Sequence, residues 1–218
     1  MPDHDGSSLR IAFVCRDAAA DSVTGVAAQV RVIARAAARA GHDVHVLAER
    51  MPHGGGDAGG EGGLRWTCVA EPRDGHAYFT ERHGYADRVY DALRRLPPFD
   101  LVEFVDAGGE ALTALRARRL LGEFPDTPMA VAHHPWASAA RAWDTGQPLT
   151  LDPTVDAFTE RYALERADAV LACSRLTADR LGEVPHARVR LRPPVLPLDA
   201  LPPAAGPDPA AATTVLHL

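Results

Sequence analysis

Leu9-Arg-Ile-Ala-Phe-Val-Cys15, the polar loop Arg16–Thr24, Gly25, and the run to Ala48 decide the fold. Leu9–Cys15 is a mostly apolar run of strand length. After Gly25, the residues Val26, Val30, Ile33, Ala37 and Ala40 recur at intervals of three or four, with arginines between them. That spacing predicts a helix with one apolar stripe. Gly41 ends it where a left-handed residue is wanted. Val44, Val46 and Leu47 then predict a second strand. A strand–loop–helix–strand unit starts an open parallel sheet, and its first loop lies at the carboxyl edge, where such sheets bind ligands. The helix N-terminus beside that loop offers unpaired N–H groups and the positive end of the dipole, suited to a phosphate. Gly25 serves equally well as an ordinary helix-start residue. Neither G-x-G-x-x-G nor G-x-x-x-x-G-K-[ST] occurs here.

Working outward, the chain reads as one α/β domain. Leu64–Ala70 predicts a third strand and Phe79–Leu96 a helix stopped by Pro97-Pro98. Leu101–Val105 predicts a fourth strand. Gly108-Gly109 leads into a helix through Leu121, terminated by Gly122. Arg116, Arg118 and Arg119 on that helix are expected to form a solvated face. Met129–Ala132 predicts a fifth strand ending in His133-His134-Pro135-Trp136, and an irregular loop is expected to run from there to Thr150. Phe158–Arg166 predicts a helix, Ala169–Cys173 a sixth strand, Ser174 the N-cap of a helix through Leu181, and Val189–Leu191 a seventh strand. The expected architecture is a doubly wound, Rossmann-like parallel sheet in the order 3-2-1-4-5-6-7, with helices on both faces. This domain spans residues 1–192. Residues 193–212 are Pro-rich and read as an interdomain linker, since Pro193–Pro209 holds seven prolines. Residues 213–218 read as the first strand of a second domain, absent from this sequence.

Composition limits the functional classes. The chain has 218 residues, a formal net charge of −6, 46% hydrophobic and 24% charged residues. These are values of an ordinary globular protein, and the acidic balance argues against nucleic acid as partner. All 23 basic residues are arginine, as in a protein of a GC-rich, bacterial genome. Cys15, Cys68 and Cys173 are expected as buried free thiols in a reducing, cytoplasmic setting. The ten histidines show no metal-ligand spacing. The Gly-rich stretch His53–Gly63 is acidic, without lysine, serine or threonine, and reads as a surface loop.

Several stretches, in order, resemble the N-terminal half of family-four glycosyltransferases of the GT-B fold. Arg10–Val14, Gly25-Val26 and Arg39-Ala-Gly-His-Asp-Val-His-Val-Leu47 are similar to the family's opening strand, glycine loop and "RGHEVHVLT" element. Phe99-Asp-Leu-Val-Glu-Phe-Val-Asp106 sits where the family has "DVVHAHD", and Val131-Ala-His-His-Pro135 sits at its "LHGP" loop. Glu165-Arg-Ala-Asp-Ala-Val-Leu-Ala-Cys-Ser174 resembles "RRADAVIAVS", and Arg188–Pro193 resembles "VRVIPNG". The sequence departs from the pattern in three places. Thr24-Gly25 keeps one glycine of a usual pair, Glu103 and Val105 replace a His-x-His, and Pro194-Val195 replaces Asn-Gly.

The resemblance implies transfer of a sugar from a nucleotide-diphosphate donor to an acceptor, with retention at the anomeric carbon. It implies no cofactor and no metal. It also implies a C-terminal domain, outside this chain, that binds most of the donor, while this half binds a small-molecule, glycan or lipid acceptor. By the same resemblance His133 is the catalytic-site histidine, packed against the donor sugar, and Thr24 and Gly25 face the donor diphosphate. Asp106, Trp136, Trp143 and Arg141 are candidates for the acceptor pocket, the tryptophans because sugars stack on aromatic faces, with core packing an equal alternative for either. As a side chain at a loop end, His133 is expected to contribute little to the core. Two other readings stand beside this one, a nucleotide-sugar epimerase of the same fold and a non-catalytic domain that pairs with a separate donor-binding subunit.

Overall fold

The computed structural model describes residues 8–19, 25–51, 63–69, 81–106, 109–134, 151–182, 184 and 188–195. Thr24, Trp136, Arg141, Trp143 and the stretches 196–212 and 213–218 lie outside them, as does the side chain of Asp106. Seven strands form one sheet: β1 (Arg10–Val14), β2 (Asp43–Ala48), β3 (Leu64–Cys68), β4 (Leu101–Asp106), β5 (Met129–His133), β6 (Ala169–Ala172) and β7 (Val189–Leu191). Their order is β3-β2-β1-β4-β5-β6-β7, as predicted. Every pairing is parallel, from Arg10 opposite Asp43 to Ala172 opposite Leu191. All seven strands therefore end at one edge. The helices are α1 (Gly25–Arg39), α2 (Glu81–Arg95), α3 (Leu112–Leu121), α4 (Leu151–Arg166) and α5 (Arg175–Leu181).

Parallel strands covered on both faces need two apolar clusters, and the sheet has them. One gathers Phe104, Met129, Val131 and Val170 with Tyr85, Leu115 and Leu164 from the helices. The other gathers Ile11, Phe13, Val44 and Val46 under α1. The buried stripe of α1 is Ala27, Val30, Ala34 and Ala38. Of the predicted stripe only Val30 is fully buried, while Val26, Ile33 and Ala37 pack at the flanks. Alanine on the innermost line lets the helix axis approach the sheet, which turns the larger residues outward.

Three local expectations change. The fourth helix starts at Leu151, seven residues earlier than predicted; Pro153 falls in its first turn, where no backbone donor is needed. Arg118 is no solvated residue: its guanidinium donates to Asp168 and to the carbonyls of Thr127 and Arg166, whereas Arg116 and Arg119 are exposed. Of the cysteines only Cys15 is buried; Cys68 is exposed, on the outermost strand, and Cys173 half-buried, at the mouth of the edge where β6 ends. Ser174 caps α5 as predicted, its hydroxyl accepting from the Thr177 N–H at 3.1 Å.

Two contacts tie the connections to the sheet. Asp168, in the turn before β6, accepts from Arg118 at 2.5 Å and from the Met129 N–H at 2.8 Å. Burial pushes its carboxyl upward, but these donors outweigh it and hold the group below the usual aspartate value. Gly109 has φ +82°, and a Cβ there would stand 2.6 Å from the Thr159 side chain. The connection after β4 thus packs backbone against α4, as only glycine permits.

Candidate functional site

The site is assembled from the ends of β1, β4 and β5, the start of α1, and the chain leaving β7. After β1 the backbone stays beside β2: the Cys15 N–H donates to Leu47 at 3.1 Å and the Ala18 N–H to Arg50 at 2.9 Å. Asp17 accepts from the Ala19 N–H at 3.1 Å, and Arg31 of α1 donates to the carbonyls of Ala18 and Ala19. The first half of this loop is therefore fixed from both sides. Burial, and after it the carboxylate of Glu110, push the Cys15 thiol up to about 12. The thiol stays protonated and supplies no nucleophile. Gly25 is the exposed first residue of α1, and a Cβ there would meet no described atom. No acidic residue occupies the first turn of α1, so no carboxylate of the helix itself offsets its positive end.

His133 is the last residue of β5, opposite Asp106 of β4 and Ala172 of β6. At 1% exposure it is a core residue, not a loop-end one. The expectation that it matters little to stability is thereby corrected, because removing a buried imidazole leaves a cavity. His134, next along, is half-buried. Burial, and after it the positive Arg192 and the neighbouring His133, together lower its pKa to about 4. Near neutral pH it is an uncharged imidazole with one donor and one acceptor nitrogen.

The two histidines line a pocket of about 20 Å³ with Gln29, Cys173, Arg192 and Pro193. Such a volume holds roughly one water molecule. A larger cavity of about 350 Å³ opens at the opposite, amino edge of the sheet among Leu93, Phe99, Phe124 and Thr127, away from these residues. Among the described residues no three His, Cys, Asp or Glu side chains are grouped to hold a metal, and no helix is long and apolar enough to cross a membrane.

Of the sequence-based candidates, the structure places Gly25, Asp106 (as a strand position) and His133 on one edge. Of the further polar residues buried around that edge, the sequence marks only Glu103, as a departure from the family pattern. Glu103, at 5% exposure, takes a two-pronged ion pair from Arg192, at 2.5 and 2.8 Å. Glu110, Asp156, Thr159 and Glu160 are buried in the α3 and α4 segments. Asp156 and Glu160 lie four apart, on the helix face that also carries Ala163 and Leu164. That spacing was available as a signal once the helix is begun at Leu151.

Polar side chains near the carboxyl edge of a doubly wound sheet stand where α/β domains of this class bind their ligands. The profile of Glycosyltransferase Family 4 matches residues 23–199, and the chain belongs to that family. Sucrose-phosphate synthase from Thermosynechococcus elongatus superposes with a TM-score of 0.66 at 17% identity, over 85% of this chain and 48% of that one. The catalytic domain of Starch Synthase IV from Arabidopsis thaliana, bound to ADP and acarbose, gives 0.63 at 13% identity, over 92% of this chain and 54% of that one. These likenesses establish a Rossmann-like fold of the GT-B glycosyltransferase type. The chain spans about half the length of the solved structures it matches. A search of curated proteins returned no match.

Proposed function

We propose that this domain is the acceptor-binding wall of a retaining glycosyltransferase that uses a nucleotide-diphosphate sugar, and that the donor is held by a C-terminal half outside this chain. The observation that carries this reading is the polar pocket that His133 and His134 line with Gln29 and Arg192, at the edge where the fixed loop and α1 begin. In the reaction the bond from the anomeric carbon to the diphosphate breaks. The acceptor hydroxyl oxygen bonds to that carbon, and its proton passes to the departing diphosphate. An uncharged imidazole orients a sugar hydroxyl by donating or accepting without adding charge to the edge. The N–H groups at the start of α1, with Thr24 and Gly25, face the diphosphate, and the other half supplies the cations that stabilise its developing charge. Asp106, Trp136 and Arg141 are assigned to the acceptor side. The family match favours transfer over epimerisation. The protein works in the cytoplasm.

The test is sugar transfer by the protein with and without its donor-binding half. His133→Ala in the two-domain protein is expected to slow turnover by roughly tenfold to a thousandfold, the range for losing one polar contact at a reacting centre. It should also lower the melting temperature, because His133 is core. Turnover unchanged in that variant removes His133 from the site. Transfer by the 218-residue chain alone overturns the half-site assignment.

A further inference from the structure

Beyond β7 the chain does not leave the sheet. The Arg192 N–H donates to the Ala172 carbonyl at 2.8 Å, continuing the β6 pairing. Its guanidinium then reaches Glu103 on β4, although β5 and β6 lie between those strands in the sheet. Three residues on, Val195 and the side chain of Gln29 exchange two hydrogen bonds. The Val195 N–H donates to Oε1 at 2.8 Å, and Nε2 donates to the Val195 carbonyl at 2.7 Å.

The sheet is shaped for this crossing. Glu103 stands in register with Phe13, and its side chain shares a face with Val105, which belongs to the cluster under α1. On β5 the residue in register with Glu103 is Ala130, and Ala132 lies two further on. Two methyl groups leave a shallow track beside α1. Arg192 reaches Glu103 along that track and lines one pocket with Ala132 and Gln29, and Glu103, Ala130 and Ala132 are all buried. Pro193 and Pro194, between the two clamps, have fixed φ and no N–H, so the extended segment leaves no donor unpaired there. The departures of Glu103 and of Pro194-Val195 from the family pattern belong to this one arrangement.

We propose that Glu103 and Gln29 are positioning residues that seat Arg192–Val195 as a fixed strap on this domain. The strap is then a permanent wall of the His133–His134 pocket, through Arg192 and Pro193. Any swing of a second domain toward this edge pivots beyond Val195, and the pocket keeps its shape as the cleft opens and closes. The seating rests on geometry alone. The consequence for the swing rests on the glycosyltransferase reading.

The test is amide hydrogen exchange of the 218-residue chain, which needs no substrate and so fails or succeeds independently of that reading. Val195 is the informative amide, since its two predecessors have none. In the wild-type chain its exchange is expected to be at least about tenfold slower than in an unstructured peptide. Gln29→Ala, a change at a partly exposed residue, should erase that protection while Val14 and Val102 keep theirs. Glu103→Gln should speed Val195 exchange at least about fivefold. The reversed pair Glu103→Arg with Arg192→Glu should restore it, whereas Glu103→Arg alone does not. Such rescue reports the pair itself and not general loosening. Unstructured exchange at Val195 in the wild-type chain overturns the strap. So does unchanged protection in both Gln29→Ala and Glu103→Gln.

Discussion

One face of the sheet is covered in two different ways. Over β1 and β2 it is covered by α1, through Val30 and a line of alanines against Phe13, Val44 and Val46. Over Glu103 and β5 it carries four extended residues, held by one partly buried ion pair and one exchanged pair of amide hydrogen bonds. Phe13 and Glu103 are neighbours in register on that face, so the change from apolar to ionic cover happens between adjacent strands. The apolar cover gains from area and tolerates small shifts. The ionic cover gains little in net free energy, since desolvation of Glu103 offsets the attraction, but it accepts only one geometry. The first holds the fold, and the second fixes a chain path beside the pocket.

Three changes probe that contrast. The largest effect is expected on the apolar side: Phe13→Ala should cost about 3–5 kcal/mol, as for other buried phenylalanines. Urea denaturation measures it, and a loss under about 1.5 kcal/mol would show that α1 does not depend on close packing there. Next comes Arg192→Met, which leaves the Glu103 carboxylate buried without its cation. Breaking such pairs costs about 3–5 kcal/mol when both groups are buried; Arg192 is partly exposed, so about 2 kcal/mol is expected. Adding Glu103→Met should recover most of that loss, because an apolar pair suits the track. A double variant as unstable as the single one would mean that the ion pair is not what Arg192 contributes.

The smallest effect concerns pH. The folded pKa of His134 is depressed to about 4 from 6.5. Its contribution to stability is therefore fully present above pH 6.5 and is lost as pH falls toward about 4, where the folded state must also take up the proton. Buried His45, lowered mainly by burial and then by Arg65, acts in the same direction. Thermal melts between pH 7 and 4 should show a shallower decline in His134→Gln than in the parent chain. Parallel curves would exclude His134 as a contributor.

The topology was legible because each strand is a short apolar run bounded by glycine, proline or a polar turn, and because helical spacing separates the runs. Helix starts were harder. At Leu151 the first turn holds Asp152, Pro153 and Thr154, which signal a boundary but not on which side of it the helix lies. The burial of His133 was illegible for a related reason: His133-His134-Pro135 reads as a turn, yet the strand pairing runs one residue past the apolar run. The strap was out of reach of pattern reading altogether. Glu103 and Arg192 belong to strands that are not neighbours, and nothing local in either segment announces a partner so far along the chain. Arg118 illustrates the same limit on a helix, where one arginine of three is committed to Asp168 and the carbonyls around it while its neighbours are exposed.

The contact between Gly109 and Thr159 has an evolutionary reading. A Cβ at position 109 needs both a rare backbone angle and space already taken by the threonine side chain. No single base change at 109 satisfies both demands, so substitutions there are paths closed in one step. A smaller residue at 159 opens the space but leaves the angle unmet. The two positions are therefore coupled: a side chain at 109 is accommodated only if residue 159 gives way and the backbone angle is also met.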